Sequence, residues 1–200
     1  MATISLSFDP AIAAAKLAAA EKVLRNDLGP VLEVAVMKAV QDHLDANYVG
    51  KPNKLGGPST DYWRTVRNSA EGHYITGGDT HSVTVKLTGV GLRMKLLGGV
   101  IRPTGRISSV TGKPIKFLTI PVSPLAHGKT ASDFGKDALY ATPAGLMDRA
   151  GGHAPGHRLF IFAKQATIKA DPNIWPSAET IRTAAGEAVL LLFNSATGPN

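Results

Sequence analysis

Histidines are the first residues in this 200-residue chain that invite a chemical reading: His43, His73, His81, His127, His153 and His157. Two of them stand close together, in His153-Ala154-Pro155-Gly156-His157. That spacing on a helix places two imidazoles on one face, as zinc sites require, but Pro155 and Gly156 put this pair in a turn. No acid stands beside them as a third ligand, so they read as loop histidines in a hairpin and no metal is expected. Asp133 and Asp137 are the nearest approach to a carboxylate pair for acid–base work; they read as solvated charges on a short helix. Trp63 and Trp175 sit beside turn or cap signals and read as core packing. The phosphate-binding Gly-x-x-x-x-Gly-Lys-[Ser/Thr] loop, the dinucleotide Gly-x-Gly-x-x-Gly turn and the Gly-x-Ser-x-Gly elbow are all absent. Cysteine is absent too, which removes disulfides, thiolate metal sites and a thiol nucleophile. No catalytic residue, cofactor or metal is expected, and the chain does not read as an enzyme.

Charge is the stronger signal. The net charge of +7 is unevenly placed. Residues 1–50 hold four Lys/Arg against six Asp/Glu, residues 51–120 eleven against three, and residues 121–200 seven against six. Between Asp79 and Asp133 there is no acid, while Lys86, Arg93, Lys95, Arg102, Arg106, Lys113, Lys116 and Lys129 all fall inside. Three readings of this basic zone stand open. It is a solvated face on hairpins, a contact for an acidic surface on a neighbouring subunit, or a contact for nucleic-acid phosphates. Phe117 is the one aromatic between Tyr74 and Phe134, which argues against base stacking on single strands. Nonspecific contact with passing duplex DNA remains compatible with the charge.

The elements that must carry these residues follow from periodicity and punctuation. Asp9-Pro10 is a helix-start signal. The Ala-rich run 11–26 and the apolar positions Leu32, Ala35, Val36, Ala39, Val40 and Leu44 have helical spacing, up to an end at Asn47. Gly29-Pro30 predicts a kink or a short break between them. Residues 51–58 form a Gly/Pro/Asn-rich loop, after which Ser59 or Thr60 is placed to cap a short helix carrying Tyr62, Trp63 and Val66. Beyond Gly72 the period becomes two. Residues 73–76 and 82–87 read as strands joined through Gly77-Gly78-Asp79, with Val83, Val85 and Leu87 on one side. Leu92, Leu96 and Leu97 suit a short helix, Val100-Ile101 a short strand, and residues 104–114 a polar loop. Residues 116–122 (KFLTIPV) are the best strand, and Pro121 places it at a sheet edge or at its own end. A looping middle precedes a second strong strand over 158–168. Ser177 caps a last helix to about Phe193, with Glu179 in its first turn. The end of that helix, around Leu190 and Phe193, is apolar all round and is expected in the core or in an interface.

The expected class is α+β: a long N-terminal helix, an antiparallel β-sheet and a C-terminal helix. The length suits a single domain over 1–200, with a helical part at 1–50, a β-rich core with loops at 72–170 and the last helix at 177–193. The start of the chain lacks a basic region followed by an apolar run, so no signal peptide is expected. No apolar run approaches the roughly 18–20 residues that span a bilayer, so no membrane partner is expected, and the protein is expected to be soluble and made in a reducing cytoplasm.

The segment Leu97-Gly98-Gly99-Val100-Ile101-Arg102-Pro103, followed after a loop by Lys116-Phe117-Leu118-Thr119-Ile120-Pro121-Val122, resembles a phage pattern. It is similar to the virion morphogenesis and tail-completion (head–tail joining) proteins of tailed phages and prophages. In those, a Gly-Gly-x-Ile segment leads through a variable loop to a strand reading roughly Leu-x-Ile-Pro. A later apolar strand then ends in a Lys-x-x-x-Ile stretch, here Lys164 to Ile168, before a C-terminal helix. The Ala-rich first helix and the Asp61-Tyr62-Trp63 helix start also fit that order. Many relatives carry an Ala-Arg-Pro-Phe-like turn before the last helix, where this chain has Ala170-Asp171-Pro172-Asn173 with the charge reversed. The resemblance implies a structural virion protein, made in the host cytoplasm, that forms a homo-oligomeric ring at the neck. Its implied partners are copies of itself and the connector or portal-side and tail-side virion proteins, with no catalytic residues. Under this reading Arg93, Lys95, Arg102, Arg106, Lys113, Lys116, Leu190 and Phe193 are the expected interface residues, and the loops 51–58 and 104–114 are expected to order against neighbours. The alternative is a nucleic-acid-binding protein using the basic segment 80–132.

Overall fold

The structure, a computed structural model, describes residues 10–77, 80–107, 114–135, 138–149 and 156–198. Its class is α+β, as expected, with a long N-terminal helix, antiparallel sheets and a C-terminal helix. The chain divides into two compact units, one of Met1–His43, Val66–Thr88 and Trp175–Asn200, the other of Leu44–Thr65 and Gly89–Ile174.

Helix α1 spans Pro10–Asn47 and passes through Pro30 without a break. Proline removes one helical hydrogen bond, and the helix continues past it. Gly29 is buried, and a Cβ on it would lie 2.5 Å from the ring of Tyr74, so glycine lets that ring close over the helix beside the proline. Val40 and Leu44, one turn apart and both buried, belong to the apolar stripe read from the sequence, and Ala20 is buried as well. Tyr74 belongs to β1 (Glu71–Gly77), which pairs antiparallel with β2 (Thr80–Lys86). Burial alternates along β2, with Val83 and Val85 turned inward as predicted. Helix α4 (Ala178–Thr197) starts where expected, the Ser177 hydroxyl accepting from the Thr180 amide at 3.1 Å, and runs four residues further than predicted. Of the two places expected for its apolar end, the core or an interface, the core is not where it lies. No residue of α4 is buried, and Leu190 and Leu191 are 63% and 72% exposed.

Helix α2 (Tyr62–Asn68) begins one residue later than the predicted caps allow. The Asp61 carbonyl accepts from the Thr65 amide, so Asp61 and not Ser59 or Thr60 occupies the boundary. Helix α3 (Leu92–Leu97) leads through Gly98 into β3 (Gly99–Ile101). Strand β4 (Leu118–Pro121) is the edge of a four-stranded sheet and ends on Pro121, both positions a proline tolerates.

The middle of the chain is not the loop the sequence suggested. Two 3-10 turns, Pro124–Ala126 and Ala131–Phe134, are followed by β5 (Leu139–Thr142) and β6 (Gly145–Asp148). These four-residue strands contain Ala, Gly and Asp, which are poor strand formers, and they are held by their neighbours in the sheet. Asp133 caps its turn, accepting from the Thr130 amide at 2.6 Å; Asp137 lies outside the described residues, as does His153. The predicted strand over 158–168 is two strands in two sheets. Strand β7 (Arg158–Ala163) pairs with β4 and β6, whereas β8 (Ala166–Ile168) pairs with β3. The chain therefore changes sheets at Lys164-Gln165.

Leu159 and Phe160 are adjacent in β7, and both are buried. Strict alternation would turn one of them outward. A register shift opposite them, between Leu146 and Met147, inserts one residue into β7 and allows both to be covered. They form a core with Ala126, against which Phe134, Leu139 and Leu146 pack. The Phe134 ring meets Phe160 edge-on at 5.7 Å.

Candidate functional site

Within the unit of Leu44–Thr65 and Gly89–Ile174 lies a cleft of about 550 Å³. Its first wall comes from the end of α1 and the loop after it. Asn53 organises that loop from inside: its Oδ1 accepts from the amides of Leu55 (2.8 Å) and Gly57 (3.2 Å), and its Nδ2 donates to the Pro58 carbonyl (3.0 Å). These bonds join residues 53–58 to one another within the loop. The arrangement sets the rings of Tyr48 and Trp63 with centroids 4.5 Å apart, and sets Lys51 and Lys54 on the rim.

Helix α3 supplies the second wall and its central cation. Gly98 has φ 71°, ψ −177°, and a Cβ there would stand 2.8 Å from the Ala170 amide and 2.9 Å from the Ile168 carbonyl. A side chain fits neither that backbone conformation nor that gap. The glycine brings the end of α3 against residues 168–171, and the Asp171 amide donates to the Lys95 carbonyl at 2.9 Å. Lys95 Nζ then lies 4.9 Å from the Tyr62 ring centroid and 5.8 Å from that of Trp63, within cation–π range. His127 and Lys169 complete the lining together with Asp171.

Electrostatics in the cleft are dominated by positive charge. Burial, and then the charge of Lys54, pulls the Lys95 ammonium below its ordinary pKa. Burial, followed by Lys95, does the same to His127. Tyr48 donates to Asp171 Oδ2 at 3.1 Å, and its hydroxyl is pushed up to about 12 by burial first and by the carboxylate second. The other oxygen of Asp171 accepts from the Asn173 amide at 3.2 Å. The Tyr62 hydroxyl is buried and meets no hydrogen-bond partner among the described residues, and its pKa is raised by that burial.

Of the expected interface residues, Lys95 alone lines this cleft. Arg93 is exposed on the same helix. Arg102 follows β3 and donates to Gln165 at 3.4 Å. Arg106 stands exposed at the foot of the 104–114 loop, where its carbonyl accepts from Ile115 at 2.9 Å. Lys116 is exposed just before β4, and Lys113 lies outside the described residues. Arg93, Arg102, Arg106 and Lys116 are not among the residues that line the cleft. Leu190 and Phe193 belong to the other unit. There α4 and α1 border an apolar groove past Val34 and Leu191, and Phe193 lines a wider one with Leu17, Leu24 and His81. The charged pair in that wider groove, Glu21 and Arg25, is satisfied internally at 3.1 Å.

Sequence reasoning missed the aromatic wall because it looked for aromatics inside the basic segment. Tyr62 and Trp63 reach Lys95 from some thirty residues upstream. Lys51 and Lys54 in a Pro/Asn loop were the legible signal. Among the described residues no group of three or more His, Asp or Glu is placed to hold a metal, and no helix is long and apolar enough to cross a membrane. No protein-family model, curated protein or solved structure matches the chain.

Proposed function

We propose that the chain is a structural subunit of a tailed-phage particle that completes the tail or joins it to the head at the neck, acting by ring assembly and not by catalysis. The observation that carries this reading is the apolar surface of α4 in the first unit. Leu190 and Leu191 are 63% and 72% exposed, Phe193 is 39% exposed, and Val34 of α1 stands 59% exposed on the same apolar groove as Leu191. Covering one such leucine is worth about 1.5–3 kcal/mol, so a surface of this kind is stable in a subunit whose neighbours complete it. A ring closes through heterologous contacts, one patch of a subunit meeting a different patch of the next. The exposed cations Arg93, Arg102, Arg106 and Lys116 suit an acidic face on such a neighbour. The partners under this reading are copies of the chain, with connector-side and tail-side virion proteins above and below, and the location is the virion.

Mass photometry across a concentration series, with electron microscopy of purified particles, tests the reading. A discrete ring species, or the chain at the particle neck, is expected, and Leu190→Ser with Leu191→Ser abolishes it. A protein that stays monomeric at every concentration and is absent from purified particles ends the proposal. Duplex DNA binding that falls steeply with salt and weakens in Arg102→Glu with Arg106→Glu would replace it with a nucleic-acid role.

A further inference from the structure

An ammonium withdrawn from water needs a counter-charge or surrenders part of its proton affinity. Lys95 is half-buried against the Tyr62 and Trp63 rings and forms no ion pair among the described residues. Lys51, Lys54 and Lys169 line the same cleft, so four lysines face the single carboxylate of Asp171. Both oxygens of that carboxylate already accept hydrogen bonds, from Tyr48 and from the Asn173 amide. The cleft is therefore built with positive charge that its own side chains leave uncompensated.

We propose that this cleft binds a phosphate group, with Lys95 holding it against the Trp63 wall and Lys51, Lys54 and Lys169 closing around it from the rim. Charge and geometry favour phosphate over a carboxylate. A phosphate monoester carries about −1.5 to −2 at neutral pH, which answers several lysines where one carboxylate would not. Lysines act as point charges from separate directions, as a tetrahedral group requires, and no guanidinium fork, the usual partner of a planar carboxylate, lines the cleft. The volume of about 550 Å³ exceeds that of a bare phosphate and lies in the range of small-ligand sites. It leaves room for the organic part of a phosphomonoester or for one nucleotide of a strand, with Tyr48 and Trp63 as the apolar wall. The inference does not depend on the virion reading.

The test is an NMR titration of the isotope-labelled full chain with inorganic phosphate at constant ionic strength, read at the His127 ring and the Lys95 side chain. Saturable shifts at both are expected, with the His127 titration moving upward as the neighbouring charge is neutralised. Lys95→Gln should weaken binding about tenfold or more. Lys169→Gln, at an exposed position outside the helices, should weaken it about threefold and serves if the first variant does not fold. Glycerol phosphate and a short oligothymidine separate the two sources: tighter binding of the monoester marks a small molecule, tighter binding of the strand marks nucleic acid. The proposal is overturned if chloride produces the same shifts or if both variants bind phosphate like the wild type. It is equally overturned if a glutamate-rich peptide saturates these signals where no phosphate compound does, which would make the cleft a dock for an acidic protein segment.

Discussion

Replacing Gly98 with alanine should be among the most damaging single-methyl additions in the chain, and Gly91 provides the control that explains why. Both glycines bracket α3 and share a positive φ, 74° at Gly91 and 71° at Gly98. They differ in two respects. Gly91 has ψ 7°, the ordinary left-handed helical region, and nothing lies within 4 Å of a Cβ built there. Alanine at Gly91 should therefore cost only the left-handed penalty of about 1–2 kcal/mol. Gly98 has ψ −177°, a region nearly exclusive to glycine, where another residue costs about 1–3 kcal/mol. Its Cβ would also press on the backbone of residues 168 and 170 at 2.9 and 2.8 Å. Backbone cannot rotate away as a side chain can, and forced overpacking adds about 1–3 kcal/mol. The two contributions place Gly98→Ala at roughly 2–6 kcal/mol, above the control. Equilibrium urea unfolding followed by Trp63 fluorescence, in a Trp175→Phe background, reads the unit that carries both glycines. As α3 is pushed off residues 168–171, the His127 ring resonance should shift in Gly98→Ala and stay in place in Gly91→Ala. Equal destabilisation by the two variants would refute the account of the Gly98 contact.

Phe160→Ala should cost about 3–5 kcal/mol, because Phe160 is 1% exposed and carries the edge-on contact with Phe134; a loss under 1 kcal/mol in urea unfolding would mean the core lies elsewhere. The Tyr48 hydroxyl titrates at about 12 against an ordinary 10.0, and a raised folded value stabilises below the unfolded pKa and is lost as pH climbs through the folded one. The stability gap between wild type and Tyr48→Phe should thus shrink between pH 10 and 12, by roughly 1 kcal/mol once solvent screening is allowed for, and a gap that stays constant would contradict the Tyr48–Asp171 bond.

Local signals carried most of the elements. The Ser177 cap, the hairpin of β1 and β2 and the edge position of Pro121 were all legible, because each depends on residues close in sequence. Failures came where tertiary neighbours decided. Pro30 does not interrupt α1, and the Tyr74 ring closes over Gly29 beside it. The apolar run from Arg158 divides between two sheets because its partners β4 and β3 belong to different ones, a fact no periodicity records. Strands β5 and β6 are only four residues long, and the Tyr140 and Thr142 signal in β5 is interrupted by Ala141. The cleft was half legible. Lys95 stood out within an acid-free stretch, but its aromatic wall and its companions Lys51, Lys54 and Lys169 lie outside that stretch. A charge count along the chain does not reveal convergence in space.

The Gly98-Gly99 pair acquires a physical meaning from the same geometry. Gly98 is required where α3 turns onto residues 168–170, and that turn carries Lys95 to the cleft beside Asp171. The turn that carries Asp171 is thus packed against the Gly98 turn. The acid placed there does not neutralise Lys95. It orients Tyr48 and closes its own turn through the Asn173 amide. A carboxylate recruited to balance charge would face the ammonium, whereas this one is spent on holding the wall. The positive charge of the cleft is thus a feature the fold maintains, and its compensation has to come from a ligand, from solvent or from another chain.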